Sequence, residues 1–413
     1  MAAQPAHRAA VAMQFRLYLA SLLCLSAVSS AIPGQQSRCA NMVSQPMTVE
    51  GDAPIVTLNF KRTDGTTRPA RLVFDSGGGA IILDESLASD LGLTPTGKAI
   101  TDGGMVYSPT DTPQAQIGSW LISLSTSKTF IHQGKESFDT RERVEGLLPG
   151  KALEPYQVVL DYPNGLFSVA PAGCVQHRGV KIPSPFVPSS GHPRIEISID
   201  GKEYGLLLDT GSRVTLARRD VLEGLSAAHP TWPHATGASG GADMPGGNGK
   251  EFLLRVPEVT WGPFRLRNVL FVSRPNEIYS PGTFETPRPI SGALGGNVLK
   301  NFRVEIDYPD GATYLEQAAG DFDADMNSAG LVLDVDAANN LVVRAISSTA
   351  AALTERNVRP GDQILEIDGK REIPWKIIDA SQALSGAVGE SKRLLIKRDG
   401  IEVQTSVVVA GLL

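Results

Sequence analysis

Three cysteines and six histidines are the only soft metal ligands in 413 residues, and none stands in a Cys-x-x-Cys or Cys/His cluster. A structural or catalytic zinc site is therefore not expected. His229 and His234 flank Pro230-Thr231-Trp232-Pro233 without further ligands, which reads as a solvated loop. Cationic excess is missing too. With 38 Lys and Arg against 44 Asp and Glu, the net charge is −6 and no basic stripe stands out, which argues against a nucleic-acid partner. The apolar run Leu17–Val28 follows Arg16 and gives way to small residues ending at Ala31. It is short for a membrane span and has the pattern of a secretory signal peptide over 1–31, an uncleaved anchor being the alternative. A lipid anchor on Cys24 is disfavoured by Leu22-Leu23 before it. The mature chain is expected to be exported, periplasmic or secreted, with no transmembrane span. It keeps Cys39 and Cys174, either as a pair tying the mature N-terminus to the segment near Pro171 or as two separate buried thiols.

Turn formers are abundant. There are 42 glycines and 28 prolines, and they separate short runs rich in Val, Thr and Ile, so the chain reads as mainly β. It also repeats itself. "RLVFDSGGGAIILDESLASDLGL" (71–93) aligns without a gap on "GLLLDTGSRVTLARRDVLEGL" (205–225), with Asp75 on Asp209, Ile82 on Leu216, Leu87 on Val221 and Leu91 on Leu225. Each copy reads as a buried strand, a D-[ST]-G turn, a second short strand and an amphipathic helix. A second pair follows in the same order: "GLLPGKALEPYQVVLDYPNG" (146–165) on "GALGGNVLKNFRVEIDYPDG" (292–311). Two copies of one β-rich unit of roughly 120–130 residues are implied. The Pro/Ser/Gly-rich stretch 170–193 reads as the linker between them. "RIEISIDGKEYGLLLDTG" then alternates on either side of an Asp-Gly turn, which predicts a hairpin delivering Asp209.

A lone D-[ST]-G arises by chance and makes a good turn in its own right. Two at equivalent positions of a repeat, each after an apolar run, suggest paired carboxylates. Held close, two carboxyls cannot both ionise easily, so one keeps its proton while the other is charged. Such a pair can take a proton from a water attacking a peptide carbonyl and return it to the leaving nitrogen.

With these motifs the chain, over about 50–317, resembles the aspartic proteases of the pepsin and retropepsin type. It is most similar to a retropepsin dimer fused into one chain, with a bilobal, pseudo-twofold arrangement of barrel-like β lobes over 40–172 and 190–317. The resemblance implies Asp75 and Asp209 as the catalytic pair. Ser76, Gly77, Thr210 and Gly211 would support the two turns, with "GLLPG" and "GALGG" bracing them. It implies hydrolysis of a protein or peptide substrate by a monomer with no metal or organic cofactor. Pro149 and Gly78-Gly79 depart from the family pattern in lobe one and keep open a degenerate lobe pair that binds peptide without cutting it. "DGGMVYSP" (102–109) is the candidate covering hairpin, Tyr107 being either a cleft residue or a loop aromatic. "TGASGGADMPGGNGKE" (236–251) fails as a phosphate loop because Glu251 follows Lys250 and the glycines are wrongly spaced. A serine protease is set aside, since no Ser/His setting of the required kind occurs.

After an acidic polar linker, 317–330, the remainder resembles a PDZ domain over 325–413. The match is carried by an Ala329-Gly330-Leu331 entry loop, a short helix over "AAALTERNV" (350–358) and "RPGDQILEIDG" (359–369). This resemblance implies a β-sandwich with short helices that holds a peptide C-terminus or extended segment at that loop. A helix near "IIDASQAL" (377–384) would form the other wall of the groove. A sandwich that merely packs against the lobes is the alternative.

Overall fold

The computed structural model describes residues 39, 42–102, 105–124, 126–133, 142–187, 190–236, 251–279, 289–319, 327–336, 338–346, 357–372 and 375–410. The segment 1–31, the glycine-rich stretch 237–250 and most of the helix expected over 350–358 lie outside them. Strands dominate, as the composition predicts.

The first half contains β1 (Val43–Pro46), β2 (Thr48–Glu50), β3 (Ala53–Lys61), β4 (Thr67–Asp75), β5 (Ile81–Asp84) and β6 (Ile100–Asp102). It continues with β7 (Met105–Thr110), β8 (Ala115–Ile117), β9 (Trp120–Ile122), β10 (Thr129–Gln133), β11 (Gly146–Pro149), β12 (Tyr156–Asp161) and β13 (Leu166–Pro171). Then come β14 (Val180–Pro183), β15 (Arg194–Ile199), β16 (Lys202–Leu208), β17 (Thr215–Arg218), β18 (His234–Thr236) and β19 (Phe252–Trp261). The second half ends with β20 (Phe264–Arg274), β21 (Gly292–Leu294), β22 (Phe302–Asp307) and β23 (Ala312–Gln317). Helices α1 (Glu85–Asp90), α2 (Arg219–Ala228) and α3 (Gly296–Leu299) follow β5, β17 and β21.

The two large sheets have one strand order. The first runs β6-β7-β10-β5-β11-β4-β3 and continues into β8 and β9; the second runs β18-β19-β20-β17-β21-β16-β15. Register matches as well. Leu147 lies opposite Val73 and Leu148 opposite Phe74, as Ala293 lies opposite Leu207 and Leu294 opposite Leu208. Strands β4 and β16 sit inside their sheets, which explains why Leu72-Val73-Phe74 and Leu206-Leu207-Leu208 read as unbroken apolar runs; all six are buried. Each such side chain contributes roughly 1.5–3 kcal/mol of burial. The hairpin β15–β16 turns at Asp200 and Gly201, both with positive φ (50° and 73°), the backbone that an Asp-Gly pair favours.

A third sheet, β1-β13-β12-β22-β23-β14, joins the halves. At its centre β12 and β22 run antiparallel. Val159 faces Glu305, its counterpart in the repeat, and pairing spreads symmetrically to Gln157–Asp307 and Asp161–Arg303. A local twofold therefore passes between Val159 and Glu305. The stretch expected to be a linker differs from that expectation: β13 extends to Pro171, and β14 pairs with β23 at the sheet edge. Its prolines misled the sequence reading because an edge strand tolerates them. One core spans both halves and the shared sheet, with Phe74, Phe167, Leu206 and Phe302 among its members.

Cys39 and Cys174 form a disulfide, Cα–Cα 5.1 Å, closing a separation of 135 residues. A Cys39→Ser/Cys174→Ser double variant is expected to lose roughly 3 kcal/mol of stability, because a long loop of the unfolded chain is no longer closed. A thermal midpoint unchanged from wild type would contradict this.

The carboxy-terminal sheet is β24-β25-β26-β28-β29 with β27 on β26. Its strands are β24 (Leu331–Val335), β25 (Leu341–Ile346), β26 (Gln363–Ile367), β27 (Lys370–Arg371), β28 (Ser391–Arg398) and β29 (Ile401–Val408). Strand β24 is at the edge, and α4 (Ile377–Ala383) packs near it. In "RPGD", buried Asp362 accepts hydrogen bonds from the Arg359 backbone (2.8 Å) and from Arg398 Nε (2.8 Å). That pins the turn entering β26.

Candidate active site

Asp75 ends β4 and Asp209 follows β16, so two core strands from different halves deliver the two carboxylates. Each turn holds its own carboxylate. Gly77 N–H donates to Asp75 Oδ1 (2.9 Å); Gly211 N–H (3.1 Å) and Ser212 N–H (3.0 Å) donate to Asp209 Oδ1.

The hydroxyls between them cross the twofold. Ser76 Oγ donates to Leu208 O (2.6 Å) and accepts from Thr210 N–H (3.0 Å). Thr210 Oγ1 donates to Phe74 O (2.8 Å) and accepts from Ser76 N–H (2.9 Å). Ser76 and Thr210 are both fully buried, so no water competes for these four bonds. Each turn is thereby locked to the strand that carries the other carboxylate.

The glycines set how closely the turns approach. A Cβ on Gly211 would lie 2.3 Å from Asp75 Cγ, and one on Gly77 would lie 2.6 Å from Asp209 Cγ. Only glycine lets each backbone lie against the opposite carboxyl. The two carboxyls are in hydrogen-bond contact. Burial, then the charge of Asp209, then that hydrogen bond hold Asp75 well above the ordinary carboxylate range. Burial also raises Asp209, against the pull of the Asp75 hydrogen bond, the Ser212 and Gly211 N–H groups and the Arg274 charge. The pair therefore keeps a shared proton into a range where free carboxyls have lost theirs.

In the first half, Pro149 lies in register opposite Asp75, and β11 pairs β4 as β21 pairs β16. Gly78 is also placed for a reason: a Cβ there would meet Leu147 Cδ2 at 2.8 Å and Asp75 Oδ2 at 2.9 Å. Strands β6 and β7 pair antiparallel, with Ile100 opposite Tyr107 and Asp102 opposite Met105. Tyr107 packs its ring against His132, centroids 5.3 Å apart.

Several neighbours of the pair escaped the sequence reading. Tyr162 and Tyr308 are the tyrosines of the repeated "DYP", buried with hydroxyls that make no hydrogen bond to the described residues. Burial raises both, with Asp52 and Asp209 adding at Tyr162, and Asp75 and Glu154 at Tyr308. Tyr308 Oη occupies the place of a Cβ on Gly150, 2.0 Å from it, so that glycine is required for the tyrosine to reach beneath the turn. The repeat itself was the available signal. His192, 6 % exposed, lies close to the Gly78 backbone, next to the Asp75 turn, from the segment joining the halves. Nothing local marked it.

Burial pushes His192 down to about 4 from 6.5. The unfolded chain therefore takes up a proton between pH 6.5 and 4 while the folded chain does not, so stability present above pH 6.5 is lost as pH falls through that window. The expected loss is roughly 3 kcal/mol at its fullest. His192→Gln is expected to flatten the fall in thermal midpoint between pH 7 and pH 4.5; an equal fall in both proteins would contradict the assignment.

In the carboxy-terminal unit, Ala329 is buried and its N–H donates to Leu384 O (3.0 Å), so that donor is committed within the fold. Gly330 has φ +71° and its N–H reaches Ser328 Oγ (3.4 Å), while Leu331 opens the edge strand β24. Among the described residues no group of three or more His, Cys, Asp and Glu could hold a metal ion, and no helix is long and apolar enough to cross a membrane.

No curated protein matches the chain. Among solved structures it is similar to the crystal structure of an aspartic proteinase from Irpex lacteus, with 14% identity and a TM-score of 0.44, covering 67% of this chain and 98% of that one. A likeness that distant says nothing of activity. Residues 356–398 match the family model of the PDZ domain. The segment that contains β26 to β28 is therefore a PDZ domain.

Proposed function

We propose that this chain is an exported aspartic endopeptidase in which Asp75 and Asp209 activate a water for peptide-bond hydrolysis, and in which the PDZ domain holds the substrate by a terminus or an extended segment. The observation that carries the proposal is the hydrogen-bonded contact of the two carboxyls, raised by burial and locked by the Ser76–Thr210 crossing.

In the singly protonated pair, the ionised carboxyl takes a proton from the water as its oxygen attacks the carbonyl carbon. The protonated carboxyl donates a hydrogen bond to the carbonyl oxygen as it gains charge. Collapse of the tetrahedral intermediate breaks the C–N bond, and the proton gained from water goes to the leaving nitrogen. Because each carboxylate is held by backbone N–H groups and each turn by the other half, little reorganisation is needed at the moment of reaction. In the PDZ domain, edge strand β24 beside α4 suits addition of an extended peptide, with Gly330 and Leu331 at its entry. The disulfide supports folding in an oxidising compartment.

The test is incubation of the full chain with unfolded casein from pH 3 to 8, with fragments read by mass spectrometry. Internal cleavages by wild type support the proposal. Casein bound but intact at every pH would replace it with a peptide-binding scaffold.

A further inference from the structure

One row of apolar residues recurs in both large sheets, a single pleat from the carboxyls, and the two halves treat it differently. In the first half the strand pairings set Val73, Leu147, Ile82, Phe130 and Pro109 side by side, from β4 through β11, β5 and β10 to β7. In the second half they set Leu207, Ala293, Leu216, Val272 and Leu253 side by side, from β16 through β21, β17 and β20 to β19. Residues paired across a sheet share a face, as do residues two apart on a strand. Val73 and Leu207 each precede a carboxyl by two, so both rows lie on the face that carries the pair.

The second row is closed. Its five residues are buried and form one apolar cluster with Tyr279 and Ile290. Tyr279 ends the 3-10 turn Asn276–Tyr279, which packs on β17, and is itself 5 % exposed. The first row stays open. Val144, the counterpart of Ile290 in the repeat, is clustered with Val73, but Leu147, Ile82, Phe130 and Pro109 are only half-buried. This open row reaches the carboxyl. A Cβ on Gly78 would lie 2.8 Å from Leu147 Cδ2 and 2.9 Å from Asp75 Oδ2, so the leucine and the carboxyl oxygen flank one small space. Covering such a row removes apolar surface from water, and the second half shows that an aromatic side chain can cover it.

We propose that the first-half row is a subsite for one large apolar side chain of the peptide substrate, and that Tyr279 is a built-in plug closing its second-half counterpart, so that the cleft reads an apolar residue on one side of the bond only. The proposal rests on the endopeptidase reading for its frame, but the subsite is a statement about binding. Leu147 and Tyr279 are then the residues that set specificity.

A positional-scanning library of decapeptides, incubated with the full chain, first finds the position near the cleaved bond where large apolar residues are enriched. Four peptides then decide the matter, carrying Phe or Ala at that position and Phe or Ala at its mirror position across the bond. In wild type the first Phe is expected to raise kcat/KM by about tenfold or more, and the second to add less than about twofold. In Tyr279→Ala the second Phe is expected to add about tenfold as well. Leu147→Phe narrows the open row, so its preference should move from Phe to Ala. Because Leu147 is half-buried, that variant keeps the test open should Tyr279→Ala not fold. The proposal is overturned if both Phe residues contribute equally in wild type, or if no apolar position emerges. It is also overturned if Leu147→Phe lowers all four peptides alike, or if folded Tyr279→Ala gains nothing from the second Phe. If wild type cleaves no library member, the endopeptidase reading fails. The subsite is then decided by Kd values of fluorescein-labelled Phe and Ala peptides: a preference for Phe in wild type that Leu147→Phe removes supports it, and no preference, or one unchanged in Leu147→Phe, overturns it.

Discussion

Asp75→Asn and Asp209→Asn are each expected to lower kcat/KM by at least about a thousandfold, because an amide can neither take the water's proton nor hold the shared one. The fold should tolerate both changes. Asn retains the acceptor that Gly77 N–H or Gly211 N–H binds, and the Ser76–Thr210 crossing does not involve the carboxyls. Stability should rise in Asp75→Asn, with a definite sign in pH. Asp75 is raised in the folded chain, so its contribution is fully present below the unfolded carboxylate pKa and is lost as pH rises through the folded value. The variant escapes that loss. The gap in unfolding free energy between variant and wild type should therefore widen with rising pH, by up to about 1.4 kcal/mol per unit. Chemical denaturation at several pH values reads it directly, and taking the difference removes the opposing titration of His192. A variant that loses activity and stability together at neutral pH would mean that Asp75 serves the fold and not the chemistry.

Gly211→Ala is expected to lower activity by about a hundredfold or more without touching an ionisable group. Its Cβ would enter within 2.3 Å of Asp75 Cγ, a distance no real contact tolerates. The backbone cannot retreat, since Thr210, the preceding residue, is fixed by two hydrogen bonds to the other half. The carboxyl must move instead, and a displacement of about an ångström in a reacting group is enough for a loss of a hundredfold or more. Gly79→Ala supplies the control, because a Cβ there meets nothing within 4 Å. Activity within about twofold of wild type is expected for it. Equal losses in the two variants would mean that the turns respond to any added side chain and that the close approach of Gly211 to Asp75 is not what matters.

The parts of this molecule that were legible in the sequence are those written in short contiguous runs. Leu206-Leu207-Leu208 before Asp209, the Asp-Gly of the β15–β16 turn and the two gapless repeats each encode a local consequence, and the matched strand orders agree with them. What was not legible depends on partners far along the chain. Pairing of β12 with β22 joins residues that the repeat shows to be equivalent, but no local pattern says that equivalent strands pair with each other. Strand β14 carries the composition of a linker because its place is at an edge. His192 is an ordinary residue in sequence, and gains meaning only where Gly78 lies beside it. In sequence, Gly78 is one of the departures from the family pattern in the first half. In three dimensions it is the residue that fits between Leu147 and the Asp75 carboxyl.

The shared proton is the centre of this account, and the pH dependence of kcat/KM for a cleaved peptide measures it most directly, because that ratio reports the titration of the free protein. A bell is expected, its acid limb marking protonation of the second carboxyl and its alkaline limb, above the ordinary carboxylate range, marking loss of the shared proton. A profile that rises only above neutrality would contradict a catalytic pair made of Asp75 and Asp209.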